Sequence, residues 1–289
     1  MPTMQIQEID PQIWQKAVNF HAKDNFFQQT AWLNLVSDEF GLNNRYFQAE
    51  INDSVVFLSL QIKDNKSYSN FIGYGGPIGP QPLSLELLAN LITEIESRYK
   101  ITIARMKLFP DSIVGSLPAN WKAEQTSILT IDAEWETQLP KQTRYSIKQA
   151  IKNGVEVKLI NKNDLGRFYE IYAETMNRVK SSYKTPESLF RRLFEFPNVG
   201  FMGAYLNGKL EAACVFLNQG KRSFYWWGAS TLAARKCSAN YLILFSATKK
   251  LQATGVKALD MASSNNQGVG SFKARFGAEL KPFLLYQNG

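Results

Sequence analysis

The chain has 289 residues, of which 45% are hydrophobic and 20% charged, which excludes an intrinsically disordered protein and suits two domains of middling size. Its 33 basic and 25 acidic side chains leave a net charge of +8, with a pI near 9.3. That balance favours anionic partners: a nucleotide, a phosphorylated carrier, RNA or a membrane surface.

Cys214 and Cys237 have no paired spacing, which argues against a disulfide framework or zinc site and fits a reducing cytoplasm. The one histidine, His21, lacks the context of a metal site or a Ser-His-Asp triad, so no metal is expected. The N-terminus has no basic-plus-apolar signal, and no apolar run approaches the ~18 residues of a membrane span. The expected protein is cytoplasmic, without a transmembrane segment.

Residues 4–9 alternate weakly, as a strand does. A helix is predicted over Gln29–Phe40, with Gly41 as its stop. Strands Arg45–Ile51, Val55–Lys63 and Ser67–Tyr74 follow, joined by the short polar turns Asn52-Asp53-Ser54 and Asp64-Asn65-Lys66. GYGGPIGPQP (73–82) is too rich in Gly and Pro to continue a strand. A helix Ser84–Lys100, capped by Ser84, and a strand Ile101–Leu108 close the first unit. The basic stretch Leu139–Asn153 reads as a helical connector.

The second half repeats the order. A strand, Gly154–Ile160, precedes helices at 165–179 and 186–195. Strands Val199–Leu206, Lys209–Leu217 and Arg222–Gly228 come next, the first two joined by Asn207-Gly208, a strong hairpin signal. A polar turn, a helix over 239–254, the strand Val256–Ala262 and a Gly-rich turn follow. Strand starts 45 and 199, turns 64 and 218, and helix starts 84 and 238 share one offset of 154 residues. The fold class is therefore α/β, with two tandem domains, each a mixed, mostly antiparallel sheet flanked by helices. Their expected bounds are 1–140 and 141–279.

This element order is that of the GNAT N-acyltransferase fold, and the whole chain resembles the Fem-type aminoacyltransferases, which carry tandem GNAT-like domains. The matching stretches are FFQQTAW (26–32), GGPIG (75–79), TRYSIKQAIKNGVEV (143–157) and SNNQGVGSFKARFG (264–277). The resemblance implies that residues 280–289 return to the first domain. Three departures stand out: Val36 where similar proteins often have a phosphate-contacting lysine, no room for the long antiparallel coiled-coil arm that some members insert in the second domain, and Phe109 where an acidic residue often precedes the proline.

The resemblance also assigns roles. Lys273 matches the lysine to which oxyanion stabilisation is ascribed, a role that suits a fixed ammonium because acyl transfer builds negative charge on the carbonyl oxygen. Phe272 and Phe276, at i and i+4, would pin its helix to the core. Arg178 and Tyr183 stand where an arginine and a following tyrosine hold substrate phosphates, and Tyr225 where an aromatic contacts substrate. Strand alternation puts Tyr225 and Trp227 on one face, and Phe224 and Trp226 on the other.

Arg235, Ser238 and Asn240 occupy the pyrophosphate loop of coenzyme-A-dependent GNAT enzymes, with Ser and Asn in place of glycines. With Gly268 and Gly270 of the Gly-rich turn, they are the donor-binding candidates. The three prolines of the first domain's equivalent loop, GYGGPIGPQP, lack N–H donors, so that domain is expected to bind substrate and be inactive as a transferase. A solvated lysine, a helix-ending arginine and plain core aromatics are the non-functional counterparts of these assignments.

The function expected is amide-forming transfer of an acyl or aminoacyl group to an amine of a cell-envelope precursor, with no tightly bound cofactor. The donor is aminoacyl-tRNA or acyl-CoA. The acceptor is an anionic small molecule or is carrier-linked; DNA is not a partner, and peripheral membrane contact is compatible. The alternatives are an acyl-CoA-dependent N-acyltransferase on a sugar, lipid or peptide amine, and a non-catalytic module that binds an anionic carrier or RNA.

Overall fold

The computed structural model describes residues 4–51, 54–110, 117, 119–263 and 267–288. Asn52 and Asp53 of the first predicted turn, and Ser264–Asn266 of the Gly-rich motif, lie outside the described residues. The chain divides into two compact units, 1–125 with 281–289, and 126–280. The helical connector therefore belongs to the second unit.

In the first unit, β1 (Met4–Ile9) leads to α1 (Pro11–His21), capped by Asp10, whose carboxylate accepts from the N–H groups of Gln12 and Ile13. α2 (Thr30–Phe40) ends at Gly41, which takes the left-handed conformation (φ 64°) that terminates helices. β2 (Asn43–Ile51), β3 (Ser54–Lys63) and β4 (Lys66–Ser69) form an antiparallel meander. β4 is shorter than predicted because Asn70 turns to φ 62°, a conformation no strand sustains. α3 (Leu85–Tyr99), capped by Ser84, precedes β5 (Thr102–Lys107), which pairs parallel to β4. Leu88, Leu91, Ile92 and Ile95 of α3 join Phe47, Leu58 and Leu60 of the sheet in this unit's core.

Two of the motifs meet here. Gln28 Nε2 donates to the Gly76 carbonyl (3.1 Å), Asn70 Nδ2 to that of Phe27 (2.8 Å), and the Trp32 indole to that of Ile72 (3.2 Å). FFQQTAW thus ties down the Gly/Pro loop. A Cβ on Gly75 would stand 2.1 Å from the Ser69 carbonyl oxygen, so only glycine fits there. Val36 is fully buried in α2.

β6 (Trp121–Thr130) spans the division of the units. The second unit continues with α4 (Trp135–Gln138), α5 (Lys141–Lys152), β7 (Val155–Leu159), α6 (Leu165–Arg178) and α7 (Glu187–Leu193). β8 (Val199–Leu206), β9 (Lys209–Gln219) and β10 (Arg222–Ser230) make the second meander. α8 (Leu232–Lys236), inside the predicted polar turn, and α9 (Ala239–Ala253) lead to β11 (Ala258–Ser263), parallel to β10. α10 (Gln267–Ala274) and β12 (Glu279–Gln287) end the chain.

Both units have one strand order. The first runs β1-β2-β3-β4-β5-β12 and the second β7-β8-β9-β10-β11-β6, each with a single parallel junction in an otherwise antiparallel sheet. In the second unit, adjacent β8 residues point to opposite faces. Phe201 packs on Phe168 of α6, whereas Met202 joins the core beneath α5 and α9.

Candidate active site

The parallel pair β10/β11 shapes the site. Its ladder runs Arg222↔Ala258, Ser223↔Leu259, Phe224↔Asp260 and stops, although β10 continues to Ser230 and β11 to Ser263. Both strands distort just past that point. β10 carries an irregularity against β9 between Tyr225 and Trp227, and β11 one against β6 between Asp260 and Ser263. Ala262 sits at φ 62°, a conformation sparsely used outside glycine. The two strands thus part at their C-terminal ends, where open α/β sheets bind ligands.

Lys273 reaches this place from α10. Phe272 and Phe276 stack around Tyr241 of α9 (ring centroids 5.1 and 5.8 Å), and the Trp135 indole holds the Phe276 carbonyl. Gly277 (φ 88°) ends the turn. Lys273 is 3% exposed, and its Nζ donates to the carbonyls of Ala262 (2.9 Å) and Ser263 (2.8 Å). An ammonium has three N–H groups, so one remains for a ligand. Burial pushes the Lys273 amine from 10.5 down to about 8, with the Asp260 carboxylate pulling the other way. At neutral pH it is mostly a cation in a low-dielectric place, where one charge acts more strongly than in water.

Ser230, at the end of β10, gathers three elements. Its N–H donates to Thr175 Oγ1 of α6 (3.2 Å), its carbonyl accepts from Arg235 Nη1 (2.8 Å), and its hydroxyl accepts from Asn240 Nδ2 (3.2 Å). Arg235 and Asn240 therefore brace the turn between β10 and α9. Ser238 occupies the N-cap of α9 in a left-handed conformation (φ 60°) without capping through its side chain, and Asn240 lies inside the first turn.

Residues 120–209 match the model of the FemAB family. Over that stretch the chain is similar to the FemAB family. Among solved structures, FemX is similar at TM-score 0.67 and 15% identity, over 97% of this chain and 96% of that one. The C-terminal domain of a putative lysylphosphatidylglycerol synthetase from Agrobacterium fabrum follows at 0.62 and 13%, over 97% and 93%. A tandem GNAT protein from the clavulanic acid biosynthesis pathway aligns at 0.57 and 11%, over 99% of each chain. At such identities the likeness is one of fold. No curated protein sequence matches the chain.

Tyr241, next to Asn240, accepts a hydrogen bond from Arg275 (2.7 Å), which directly follows α10, and Tyr241, Arg275, Ser271 and the donor-binding candidate Gly268 line a cavity of ≈ 370 Å³. Gly268 and Gly270 lie in the first turns of α10, not in a turn preceding it, because the helix begins at Gln267.

Tyr225, half-buried, packs on Phe216 against the core beneath α9, with its hydroxyl beside Cys214 Sγ (3.5 Å). Burial raises that hydroxyl well above its ordinary pKa. Trp227 does not share its face. The irregularity after Tyr225 inserts a residue, so Trp226 packs on Phe190 and Trp227 on Tyr172, both on the α6/α7 side.

Arg178 is exposed in the last turn of α6, and Tyr183 is 41% exposed in the segment after it. α6 covers the sheet face opposite α9. Sequence reasoning missed Thr175, Ser230 and Asp260, small polar residues inside apolar patterns; the aspartate in LDMA was the one available signal. Among the described residues there is no cluster of metal-ligating side chains, and no helix is long and apolar enough to cross a membrane.

Proposed function

We propose that this protein is an amide-forming acyl or aminoacyl transferase, acting on an amine of a cell-envelope precursor, with its chemistry in the second unit. The observation that carries the proposal is the enclosed Lys273 ammonium, held by two carbonyls where β10 and β11 part. The acceptor amine attacks the donor's carbonyl carbon, a C–N bond forms, and the carbonyl oxygen takes the negative charge beside the remaining Lys273 N–H. Collapse of that intermediate restores the carbonyl and expels the donor's oxygen or sulfur, which takes up the proton lost by the amine. Positioning supplies much of the remaining acceleration. The FemAB match over residues 120–209 supports this class of reaction, and the neighbour named as a putative lysylphosphatidylglycerol synthetase supports aminoacyl transfer more broadly, since its named acceptor has hydroxyls and no amine.

For the donor, an aminoacyl-tRNA fits better than coenzyme A. The outer face of α5 carries Lys141, Arg144, Tyr145, Lys148, Ile151 and Lys152, all exposed, and no acid. From the buried face of that helix Thr143 donates to the Arg275 carbonyl (2.7 Å), which ties α5 to the turn that follows α10. A polyanion is attracted along such a cationic face. One observation favours the acyl-CoA reading: no side chain caps the N-terminus of α9, so its first N–H groups could meet a pyrophosphate.

Calorimetry with coenzyme A, acetyl-coenzyme A and charged tRNA separates the donors. Lys273→Met separates enzyme from binding module. Turnover should fall by ~100–1000-fold while donor binding changes little, because the charge develops in the transition state. Full turnover in this variant would end the assignment.

A further inference from the structure

Asp260 is a buried acid that the proposed chemistry leaves unused. It lies on β11 at the last rung shared with β10 and is 1% exposed. Its Oδ1 accepts from Thr126 Oγ1 of β6 (2.6 Å) and from the Ala262 N–H (2.8 Å), while its Oδ2 is buried without a hydrogen-bond partner. Burying a carboxylate is costly, and an apolar residue of similar volume usually serves stability as well or better. Stability alone therefore does not account for an aspartate here.

Two features lead from Asp260 to Lys273. The first is backbone geometry: a non-glycine residue at φ 62° persists only where its surroundings over-determine it. Asp260 does so by accepting from the N–H two residues on, a local bond that aspartate makes readily. The Ala262 and Ser263 carbonyls presented by that turn are the two that hold Lys273 Nζ. The second is charge. The charged group that acts on the ammonium is the Asp260 carboxylate on β11. It favours the charged form of Lys273.

We propose that Asp260 is the positioning residue for Lys273: its carboxylate sets the Ala262 turn that grips the amine, and its negative charge holds that amine protonated. The inference rests on the reading of Lys273 as a charged transition-state donor. Asp260 acts through Lys273 and touches no reacting atom. The unpartnered Oδ2 is then explained as the counter-charge of a buried ammonium, in place of an ordinary hydrogen-bond acceptor.

The test is an NMR titration of the lysine side-chain Nζ resonances, with Lys273→Met identifying the Lys273 signal. Asp260→Asn is isosteric and can still accept from Thr126 and Ala262 through its amide oxygen. In this variant the Lys273 midpoint should drop by about one pH unit or more, since the opposite charge is gone. The alkaline limb of turnover should move down with it. A merely structural aspartate would lower the melting temperature and leave the midpoint in place, which overturns the proposal.

Should Asp260→Asn fail to fold, the wild-type acid titration reads the same coupling. The Ala262 amide and Lys273 Nζ resonances should shift together with the Asp260 carboxyl carbon, and a Lys273 resonance that stays put overturns the proposal. These readouts need no substrate. Full turnover in Lys273→Met would remove the transferase reading while leaving the coupling between Asp260 and Lys273 intact.

Discussion

The burial of Lys273 makes folding stability depend on pH in an unusual direction. Its folded pKa lies near 8, below the ordinary 10.5 of an unfolded lysine. Between those values the unfolded chain binds the extra proton, so stability rises with pH; below about 8 both states are protonated and the full cost of the buried charge is felt. Linkage over this window gives a gain of roughly 2–3 kcal/mol between pH 7 and pH 10. Other lysines and tyrosines titrate there too, so the quantity to measure is the difference between the wild type and Lys273→Met. Urea unfolding at pH 7, 8, 9 and 10 supplies it. The difference should shift steadily in favour of the wild type as pH rises. Parallel curves would show that Lys273 is solvated in the folded protein, and would remove both its enclosed charge and the chemistry built on it.

A Cβ on Gly228 would lie 1.9 Å from the Tyr225 hydroxyl oxygen and 2.7 Å from Cζ. Gly228→Ala should therefore destabilise by about 1–3 kcal/mol in thermal or urea unfolding, and Tyr225→Phe should relieve only part of that. An unchanged melting temperature would mean that Tyr225 does not lie over Gly228. On α5, the double substitution Arg144→Gln with Lys148→Gln should weaken charged-tRNA binding and reduce its salt slope by roughly 0.7–0.9 for each phosphate left unneutralised. Coenzyme A binding should be untouched, and an unaltered salt slope would exclude α5 from the RNA path.

Much of the framework is local and was legible in the sequence alone. The Ser84 cap, the Gly41 stop and the apolar spacing of Leu88, Leu91, Ile92 and Ile95 define α2 and α3 through interactions within a few residues. The 154-residue offset anticipated one strand order used twice. The Phe272/Phe276 spacing anticipated that α10 is pinned beside Lys273. β6 was not legible, because KAEQTS has neither alternation nor β-branched density; its strand form comes from pairing with β11. Nor was the placement of Trp226 and Trp227 on one face, since alternation holds only while the ladder keeps its register.

The sequence could name Lys273 but not its state. Whether a lysine is solvated or enclosed depends on what lies over it. Here that is decided by the Ala262 and Ser263 carbonyls on β11 and by Asp260, itself held by Thr126 from a strand far away in the chain. Residue type and spacing therefore determined the framework and one candidate cation. Burial, charge partners and the parting of β10 from β11 arise from interactions between distant segments, and only the tertiary structure could decide them.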